Sequence, residues 1–522
     1  MNTTDSATKK LSLVAKPRSE PLNKDDTRVG HDLLELLTQA MYVDPLTIYR
    51  EYIQNAADSI DEARGNGIFR TNETGRVDIH IDLPERTVRI RDNGASIPRG
   101  LFIQRLLSIG LSSKRGKGLR GFRGIGRLAG LGYCQELVFR GRTEERETIT
   151  EIIWSARKLK DLLNSDWPLH DMQSAVTEIV TVNRFSGGLW PARFFEVELR
   201  KILRIKNDVL LNPDAVYEYL SQVAPVKFRD DFNHCTRIEE FLHKHGEGQV
   251  IDLIINGTRS VQRPHQSTFA LTPNLSDEFS KIEFFEIPGV DGVDAIGWVL
   301  HHGYLGALHK KLNVSGLRLR LGNIQIGEND IVAGLFGEPR FNSWCVGEFH
   351  ILNKKILPNG RRDNFEHSLH YANFQSHVSR IATELSRICR ARSGIRNLIK
   401  ATRQNLQKIE NDIELVRSMP YDFSFRQKHI NTLRELIDKQ QTKIRKYSPQ
   451  DEEREALIKQ VVELRRKLDR ASEKRKGTLF KRLAPAKKKA YNEVLSAMYE
   501  VISDAQTAHK YVGKVLRLLR AK

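Results

Sequence analysis

The sequence predicts an α+β protein that ends in a long helical region. Residues 29 to about 385 mix helix-like periodicity with short segments that alternate apolar and polar side chains, and they lack the regular strand–helix–strand order of a parallel sheet. From about residue 386 onward, nearly every segment favours helix and is rich in charge. A chain of 522 residues exceeds what one hydrophobic core can organise, so we expect several domains.

The first mixed region, residues 29–205, is predicted to form a two-layer sandwich of helices on a sheet. Helices are expected at 31–41 and 45–64. Alternating segments on either side of Pro84-Glu85-Arg86 predict a hairpin of two strands. The predicted strands cover residues 77–83, 87–92, 137–142, 147–153, 178–184 and 194–199.

The second mixed region, residues 206–385, is predicted to be a separate α/β domain. It contains a short expected helix at 217–223, which ends before Ala224-Pro225-Val226. The predicted strands cover residues 250–255, 281–286, 295–300 and 317–321.

The third region, residues 386–522, is predicted to be helical because apolar side chains recur at steps of three and four. The two recurring series are Ile399, Thr402, Leu406, Ile409, Ile413 and Val416, and Leu457, Val461, Leu464 and Leu468. This spacing predicts antiparallel helical hairpins or a coiled coil. It leaves open whether the apolar seams close within one chain or between two copies.

Composition limits the cellular setting and the partners. Residues 1–28 are polar and lack the apolar stretch of a signal peptide, so we expect a disordered arm and a cytoplasmic protein. No apolar run is long enough to span a membrane. The four cysteines are far apart and suggest neither a disulfide framework nor a metal site. The net charge of +19 permits an anionic partner such as nucleic acid, a membrane surface or an acidic protein.

The most informative segment is Glu51-Tyr-Ile-Gln-Asn55-Ala-Ala-Asp58, inside the second expected helix. Glu51, Asn55 and Asp58 recur at i, i+4 and i+7 and therefore share one face of that helix. Apolar residues surround them on several sides, which indicates a buried helix whose polar face turns toward a ligand. A carboxylate one turn from an amide suits a general base beside a magnesium ion, because Mg²⁺ prefers oxygen ligands.

Two further segments could bind a nucleotide. Asp92-Asn93-Gly94 follows an apolar strand; the carboxylate can accept a hydrogen bond from an exocyclic amine, and the glycine lets a planar ring approach the backbone. Alone, this tripeptide is more typical of a hairpin turn. The second segment runs from residue 108 to residue 130 and is glycine-rich and basic. Its backbone amides can surround phosphates, and so many glycines favour a mobile lid; alone, it would be taken for a flexible loop.

Together the three segments resemble the ATP-binding domain of the GHKL superfamily, which includes gyrase, the ninety-kilodalton heat-shock chaperones, histidine kinases and MutL. The resemblance implies a Bergerat-type ATP-binding sandwich in which Glu51 activates water, Asn55 holds Mg²⁺ and Asp92 binds the adenine amino group. The remaining nucleotide contacts that it implies are Asp58, Gly94, Ser113, Lys114, Gly121, Gly124 and Gly126.

The chain departs from the family pattern at two places. Ser96 stands where the second glycine of the Asp-x-Gly-x-Gly box is expected. The threonine usual on a late strand is not evident near Phe194, and Thr177 or Thr181 could replace it.

A loop in the second region resembles the catalytic loop of the chaperones. It reads Ile356-Leu-Pro358-Asn359-Gly-Arg361-Arg362-Asp363, and the resemblance places nucleotide contacts at Asn359 and Arg362. It implies that residues 206–385 form a middle, or transducer, domain that delivers Arg362 to the γ-phosphate. Arg361 is the competing candidate, and an ordinary surface turn is the simpler interpretation of the loop alone.

The sequence thus predicts an ATPase, dependent on ATP and Mg²⁺, that works as a chaperone-like homodimeric clamp on a client. The catalytic loop favours a protein client. A basic block at 474–476, 481–482 and 487–489 favours DNA or RNA, as in the MutL, topoisomerase and MORC branches, in a bacterial defence or repair complex; a solvated loop explains that block equally well. A non-enzymatic, ATP-gated scaffold is a third alternative, which the intact Glu51 disfavours.

Overall fold

A computed structural model describes residues 44–107, 126–163, 178–185, 190–273, 275–419, 424–445, 452–473, 483–502 and 504–520. The expected disordered arm and the expected helix at 31–41 lie outside these residues. The chain divides into two compact units, one made of Met1–Gly303 and Ala307–Ser386 and the other of Tyr304–Gly306 and Arg387–Lys522. The described structure is mixed α+β, with mixed sheets and a long C-terminal helical region.

The first unit begins with an eight-stranded sheet and its helices. The strands are β1 (Arg76–Asp82), β2 (Thr87–Asp92), β3 (Glu136–Arg142), β4 (Ile149–Ser155), β5 (Val180–Phe185), β6 (Phe194–Arg200), β7 (Asp252–Ile255) and β8 (Arg259–Ser260). The helices are α1 (Thr47–Gly65), α2 (Arg99–Leu107), α3 (Ala156–Leu163), α4 (Pro213–Val223) and α5 (Cys235–Lys244), with 3₁₀ turns at Gly126–Gly132 and Lys206–Leu211.

The strand order of this sheet is β5-β4-β3-β6-β2-β1-β7-β8. The predicted hairpin is confirmed: β1 and β2 pair antiparallel, with Ile79 opposite Ile90. Alternate residues of β2 are buried, so Val88 and Ile90 enter the core beneath α1 and Asp92 points to the same side.

The sheet continues past the boundary expected at residue 205. Strand β7 pairs parallel to β1, with Val77 opposite Leu253, and α4 places Val216 and Leu220 in the same core as α1. Since these elements complete the hydrogen bonding of β1 and the cover of the core, residues up to about 260 belong to the first sheet.

A five-stranded sheet completes the first unit. Its strands are β11 (Lys281–Gly289), β12 (Gly292–His301), β13 (Gly316–Leu321), β14 (Ile324–Ile326) and β15 (Val346–Ile351), and 3₁₀ turns lie at Lys310–Leu312, Ala333–Leu335 and Pro339–Trp344. The strand order is β11-β12-β15-β13-β14, and β13 and β15 pair in parallel. Two further strands, β9 (Thr268–Thr272) and β10 (Leu275–Glu278), form a separate two-stranded sheet. Every strand expected between residues 281 and 321 is present; β15, at the centre of the sheet, was not predicted.

The second unit is helical. The helices of this region are α6 (Leu369–Ser418), α7 (Ser424–Ile444), α8 (Glu452–Ser472), α9 (Pro485–Val501) and α10 (Ala505–Arg520), of which α6 begins in the first unit. Both apolar seams close within the chain: Leu406 of α6, Ile437 of α7 and Leu464 of α8 share one buried core. Of the basic block, residues 474–476 and 481–482 lie outside the described residues, and 487–489 are in α9.

Among the described helices, none is both long and apolar enough to cross a membrane.

Candidate functional site

Helix α1 carries the first predicted motif and is buried as expected. Thirteen of its nineteen residues are buried, including Glu51 and Asp58, while Asn55 is partly exposed. Tyr49 fixes the first turn by donating from its hydroxyl to the carbonyl oxygen of Leu210, at 2.6 Å. The flanking apolar residues pack around α1. The polar face that the spacing predicted therefore lies inside the first unit.

The second motif lies at the end of β2, directly beside α1. The backbone N–H of Gly94 donates to Oδ1 of Asp92, at 2.9 Å, and the N–H of Ala95 donates to the carbonyl oxygen of Ser59. A Cβ on Gly94 would come within 2.3 Å of Ser59 Oγ, so only glycine lets the loop lie this close to the helix. The segment leads into α2 and is not the tight hairpin turn that the tripeptide alone suggests.

Ser96, the first departure from the family pattern, has a φ of 61°, in the left-handed region that favours glycine. Its hydroxyl donates to the carbonyl oxygen of Phe194 on β6, at 2.8 Å. This bond offsets part of the backbone strain and explains how a serine occupies a position where glycine is usual.

The third motif is described only at its end. Ser113, Lys114, Gly121 and Gly124 lie outside the described residues. Gly126 opens a 3₁₀ turn against α1, and a Cβ there would come within 2.3 Å of Glu51 Oε2. The end of the glycine-rich segment therefore abuts the carboxylate of the first motif.

The loop after β15 forms a tight turn. An isolated bridge joins Pro358 to Phe365, and the N–H of Arg362 donates to the carbonyl oxygen of Asn359, at 3.1 Å. Arg362 itself has a φ of 56°, and its carbonyl oxygen accepts from the N–H of Gly327. This left-handed residue at a braced corner turns its side chain inward, where it is 8% exposed.

The structure brings Arg362 to Glu51. Nε of Arg362 lies 3.3 Å from Oε1 of Glu51, and Nη1 of Arg362 donates to Oε1 of Gln54, one turn further along α1. Oε1 of Glu51 is buried and accepts no hydrogen bond, so the pair is held by charge. Two charges at this distance, away from water, interact far more strongly than on a surface.

Arg50 holds the loop from the other side. Its guanidinium donates to the carbonyl oxygens of Arg361, at 3.1 Å, and Arg362, at 3.3 Å, and also lies 3.9 Å from Glu51 Oε1. Arg361 is exposed and offers only its backbone here. Of the two candidate arginines, Arg362 is the one whose guanidinium contacts the motif helix.

Asn359 is held by a contact within its own turn. Its side-chain N–H donates to Oδ1 of Asp363, at 2.6 Å, inside its own turn. Its Oδ1 is buried and accepts no hydrogen bond.

Of the two candidates for the late-strand threonine, only Thr181 is among the described residues, and it does not reach the site. Thr181 is exposed on β5, at the edge of the sheet and four strands from β2, which corresponds to about 19 Å. Thr177 lies outside the described residues.

Sequence reasoning missed Gln54 and Arg50. Gln54 is 1% exposed, and it lies three residues after Glu51, so it shares a face of α1 with the carboxylate. An amide side chain at that spacing from Glu51 was the signal in the sequence that could have indicated Gln54. Arg50 gave no such signal in the sequence, because its partners are backbone carbonyls of a distant loop.

The oxygen donors fit a magnesium nucleotide. Asn55 presents an amide one turn from the Glu51 carboxylate, and Mg²⁺ bound to phosphates needs few protein ligands since it keeps several waters. Within the described ranges, no group of three or more His, Cys, Asp or Glu side chains is placed to hold a metal by itself.

Comparison with known proteins gives a short similarity. No family model matches the chain. It is 33% identical over 82 residues to the chaperone protein HtpG of Fusobacterium nucleatum, covering 15% of this chain and 13% of that protein. It is 32% identical over 88 residues to HtpG of Acinetobacter baylyi, covering 16% of this chain and 14% of that protein. The chain therefore spans only a small part of the curated relatives that it matches.

Proposed function

We propose that the protein is a chaperone-like ATPase whose hydrolytic site is the Glu51–Arg362 pair. The contact between these two side chains, 3.3 Å apart, carries the proposal, because it joins the motif helix to the loop that resembles a chaperone catalytic loop. The short similarity to HtpG supports the same class of activity.

Glu51 acts as the general base. Its carboxylate accepts a proton from water while the water oxygen bonds to the γ-phosphorus, and the bond from that phosphorus to the bridging oxygen breaks, giving ADP and phosphate. The burial of Glu51 keeps bulk water away, and the glycine backbone at Gly126 leaves one side of the carboxylate without a side chain. General-base catalysis of this kind contributes about 10²–10⁴-fold.

Arg362 serves two successive roles. In the first, its guanidinium neutralises the buried Glu51 carboxylate. With nucleotide, it stabilises the charge that develops on the γ-phosphoryl oxygens, and Glu51 is released to accept a proton. Asn55 would hold Mg²⁺, which would neutralise phosphate charge, and Asp92 would bind the adenine amino group.

The proposal extends from this change of partner at Arg362 to the conformational cycle of the protein. Closure of the glycine-rich lid and pairing of two copies form a clamp around a client, and hydrolysis reopens it. The resemblance favours a protein client.

Replacement of Glu51 by Gln tests the proposal. The variant keeps the side chain's size but cannot accept the proton, so phosphate release should fall by about 10²-fold or more while ATP still binds. Glu62→Gln, on the exposed side of the same helix, is the matched control and should keep normal turnover. Normal turnover in the Glu51 variant would overturn the general-base role. ATP binding without phosphate release in the unaltered protein would identify a scaffold instead.

A further inference from the structure

The positive charge of this protein is concentrated in one unit. Residues 387–522 contain 34 Lys and Arg against 16 Asp and Glu, which accounts for +18 of the chain's +19. Residues 1–386 contain 50 against 49. Cations in the first unit are matched closely: Arg140, for example, contacts the carboxylates of Glu151, Glu196 and Glu198 at 2.6–2.8 Å. The basic pI therefore reflects the helical unit and not the proposed ATP site.

Within the helical unit, one stretch of the α6 sequence contains basic residues and no acidic ones. Between Arg387 and Lys408 there are five arginines and two lysines, and no aspartate or glutamate. The nearest acids along the helix are Glu384 and Glu410. At 1.5 Å per residue, this basic segment is about 32 Å long. A solvated helix normally intersperses both signs of charge, so a segment of this length with one sign indicates an anionic partner.

The chemistry of the segment distinguishes between classes of anionic partner. Its apolar side is occupied, because Ile399 and Leu406 are buried in the core shared with α7 and α8. An interfacial helix would need that apolar face for lipid, so a membrane surface fits poorly. The predominance of arginine suits phosphate, whose oxygens match the guanidinium fork.

The exposed cations extend along the helix. Arg392, Lys400 and Lys408 are all exposed and are spaced by eight residues, so each lies about 12 Å further along the helix and about 80° further around it. Arg403 is also exposed but pairs with Glu453, at 3.1 Å. A duplex presents one negative charge per ~1.7 Å of its axis, so a rod of about 32 Å can face roughly ten base pairs of phosphates.

We propose that the exposed side of α6 between Arg387 and Lys408 binds the phosphodiester backbone of a duplex nucleic acid. The contact is to phosphates, so it carries no sequence preference of its own, and it lies in a different unit from the Glu51–Arg362 site.

The test uses the full chain and a fluorescent duplex of about 30 base pairs, as DNA and as RNA, from about 50 to 200 mM salt. The triple variant Arg392→Gln/Lys400→Gln/Lys408→Gln should lose at least about tenfold in affinity, and the slope of log affinity against log salt should become shallower by about 3. Far-UV circular dichroism checks that its helices remain. The DNA and RNA arms show which duplex binds better.

The matched control removes three exposed lysines from the first unit, as Lys281→Gln/Lys310→Gln/Lys354→Gln. It changes the net charge equally, so binding close to that of the unaltered protein locates the contact on α6. Equal losses in the two triple variants, or no salt-sensitive duplex binding by the unaltered protein, would overturn the proposal. Competition by polyglutamate as effective as that by duplex would assign the surface to an acidic protein, and capture by anionic phosphatidylserine vesicles but not by duplex would assign it to a membrane.

Discussion

Nε of Arg362 lies 3.3 Å from Oε1 of Glu51, and both side chains are buried although they come from distant parts of the sequence. This pair connects a helix of the eight-stranded layer with the turn that follows the five-stranded sheet. Each charge compensates the other. In the proposed function, a phosphate that draws Arg362 away would also free Glu51 and so couple nucleotide binding to activation of the proposed base.

Arg362→Ala should lower the rate of ATP hydrolysis by about 10³-fold, because the guanidinium that stabilises the transferring phosphoryl group is lost. Arg361→Ala is the matched control: Arg361 is exposed, and its contact to Arg50 uses the backbone carbonyl, so its rate should stay within about threefold. Steady-state phosphate release measures both. A large loss in Arg361→Ala with little loss in Arg362→Ala would exchange the roles of the two residues.

Gln54→Leu should lower kcat by about tenfold with little change in KM, because Nη1 of Arg362 loses its acceptor and the guanidinium is less well oriented. Gln54 does not touch the phosphates in this assignment, so ATP affinity measured by titration should be kept. Removing a buried partner of a charged group also costs ~1.5–3 kcal/mol of unfolding free energy. A variant that loses stability but keeps its kcat would make Gln54 a purely structural residue.

His265 should make the protein sensitive to acid. Burial lowers its pKa to about 3, and its ring is packed among Phe228, Phe232 and Trp298. Because this pKa lies below the unfolded value of ~6.5, the unfolded chain takes up the proton first as pH falls. The unfolding free energy should therefore be at its full value above about pH 6.5 and decrease by about 1.4 kcal/mol per unit below it, toward pH 3.

Denaturant unfolding between pH 5 and pH 7, about the range where the unfolded histidine titrates, measures this slope. His265→Phe keeps an aromatic ring and removes the group that takes up the proton. The unfolding free energy of this variant should therefore change less steeply with pH, by the slope that about one proton contributes. His367→Phe, at an exposed position, should keep the original slope. An unchanged slope in His265→Phe would mean that other groups cause the acid sensitivity.

Leu406→Ala should destabilise the helical unit by ~2–5 kcal/mol, because Leu406 is fully buried between three helices. Leu398→Ala, on the same helix but 40% exposed, should cost less than ~1 kcal/mol. Thermal unfolding, followed by the circular dichroism signal of the helices, measures the loss of stability in both variants. Since the apolar seams close within one chain, the midpoint should not depend on protein concentration; a clear rise with concentration would show that a second copy completes this core.

Periodicity was a good guide where one face of an element is buried. Ile79 and Ile81 alternate with polar residues because β1 has a core side, and Leu457, Val461 and Leu464 recur at helical spacing because α8 faces α6. Such patterns are local, so they can be read from the sequence.

Strand β15 was missed because one of its two buried faces carries Glu348 and His350. It reads Val-Gly-Glu348-Phe-His350-Ile, and Glu348 is fully buried between Arg263, at 2.5 Å, and Arg320, at 2.7 Å. Polar residues at these positions look like a surface strand or a loop. The arginines that compensate Glu348 come from elsewhere in the chain, and periodicity carries no information about them.

The candidate site was predictable in its parts but not in its assembly. Glu51 was singled out from its spacing on a helix, and Arg362 from a resemblance. The brace formed by Arg50 was not foreseen because its acceptors are backbone oxygens, which every residue has.

The parallel pairing of β1 with β7 has a consequence for synthesis of the protein on the ribosome. Strand β1 ends at Asp82, but its neighbour, Asp252–Ile255, emerges only after a further 170 or so residues. At ~5–20 residues per second, the outer edge of β1 stays without its native partner for roughly ten to thirty seconds in every round of translation. During that interval the nascent chain presents an open strand edge, which is a template for pairing with other chains. The order of the strands along the chain therefore sets how long this edge stays unpaired.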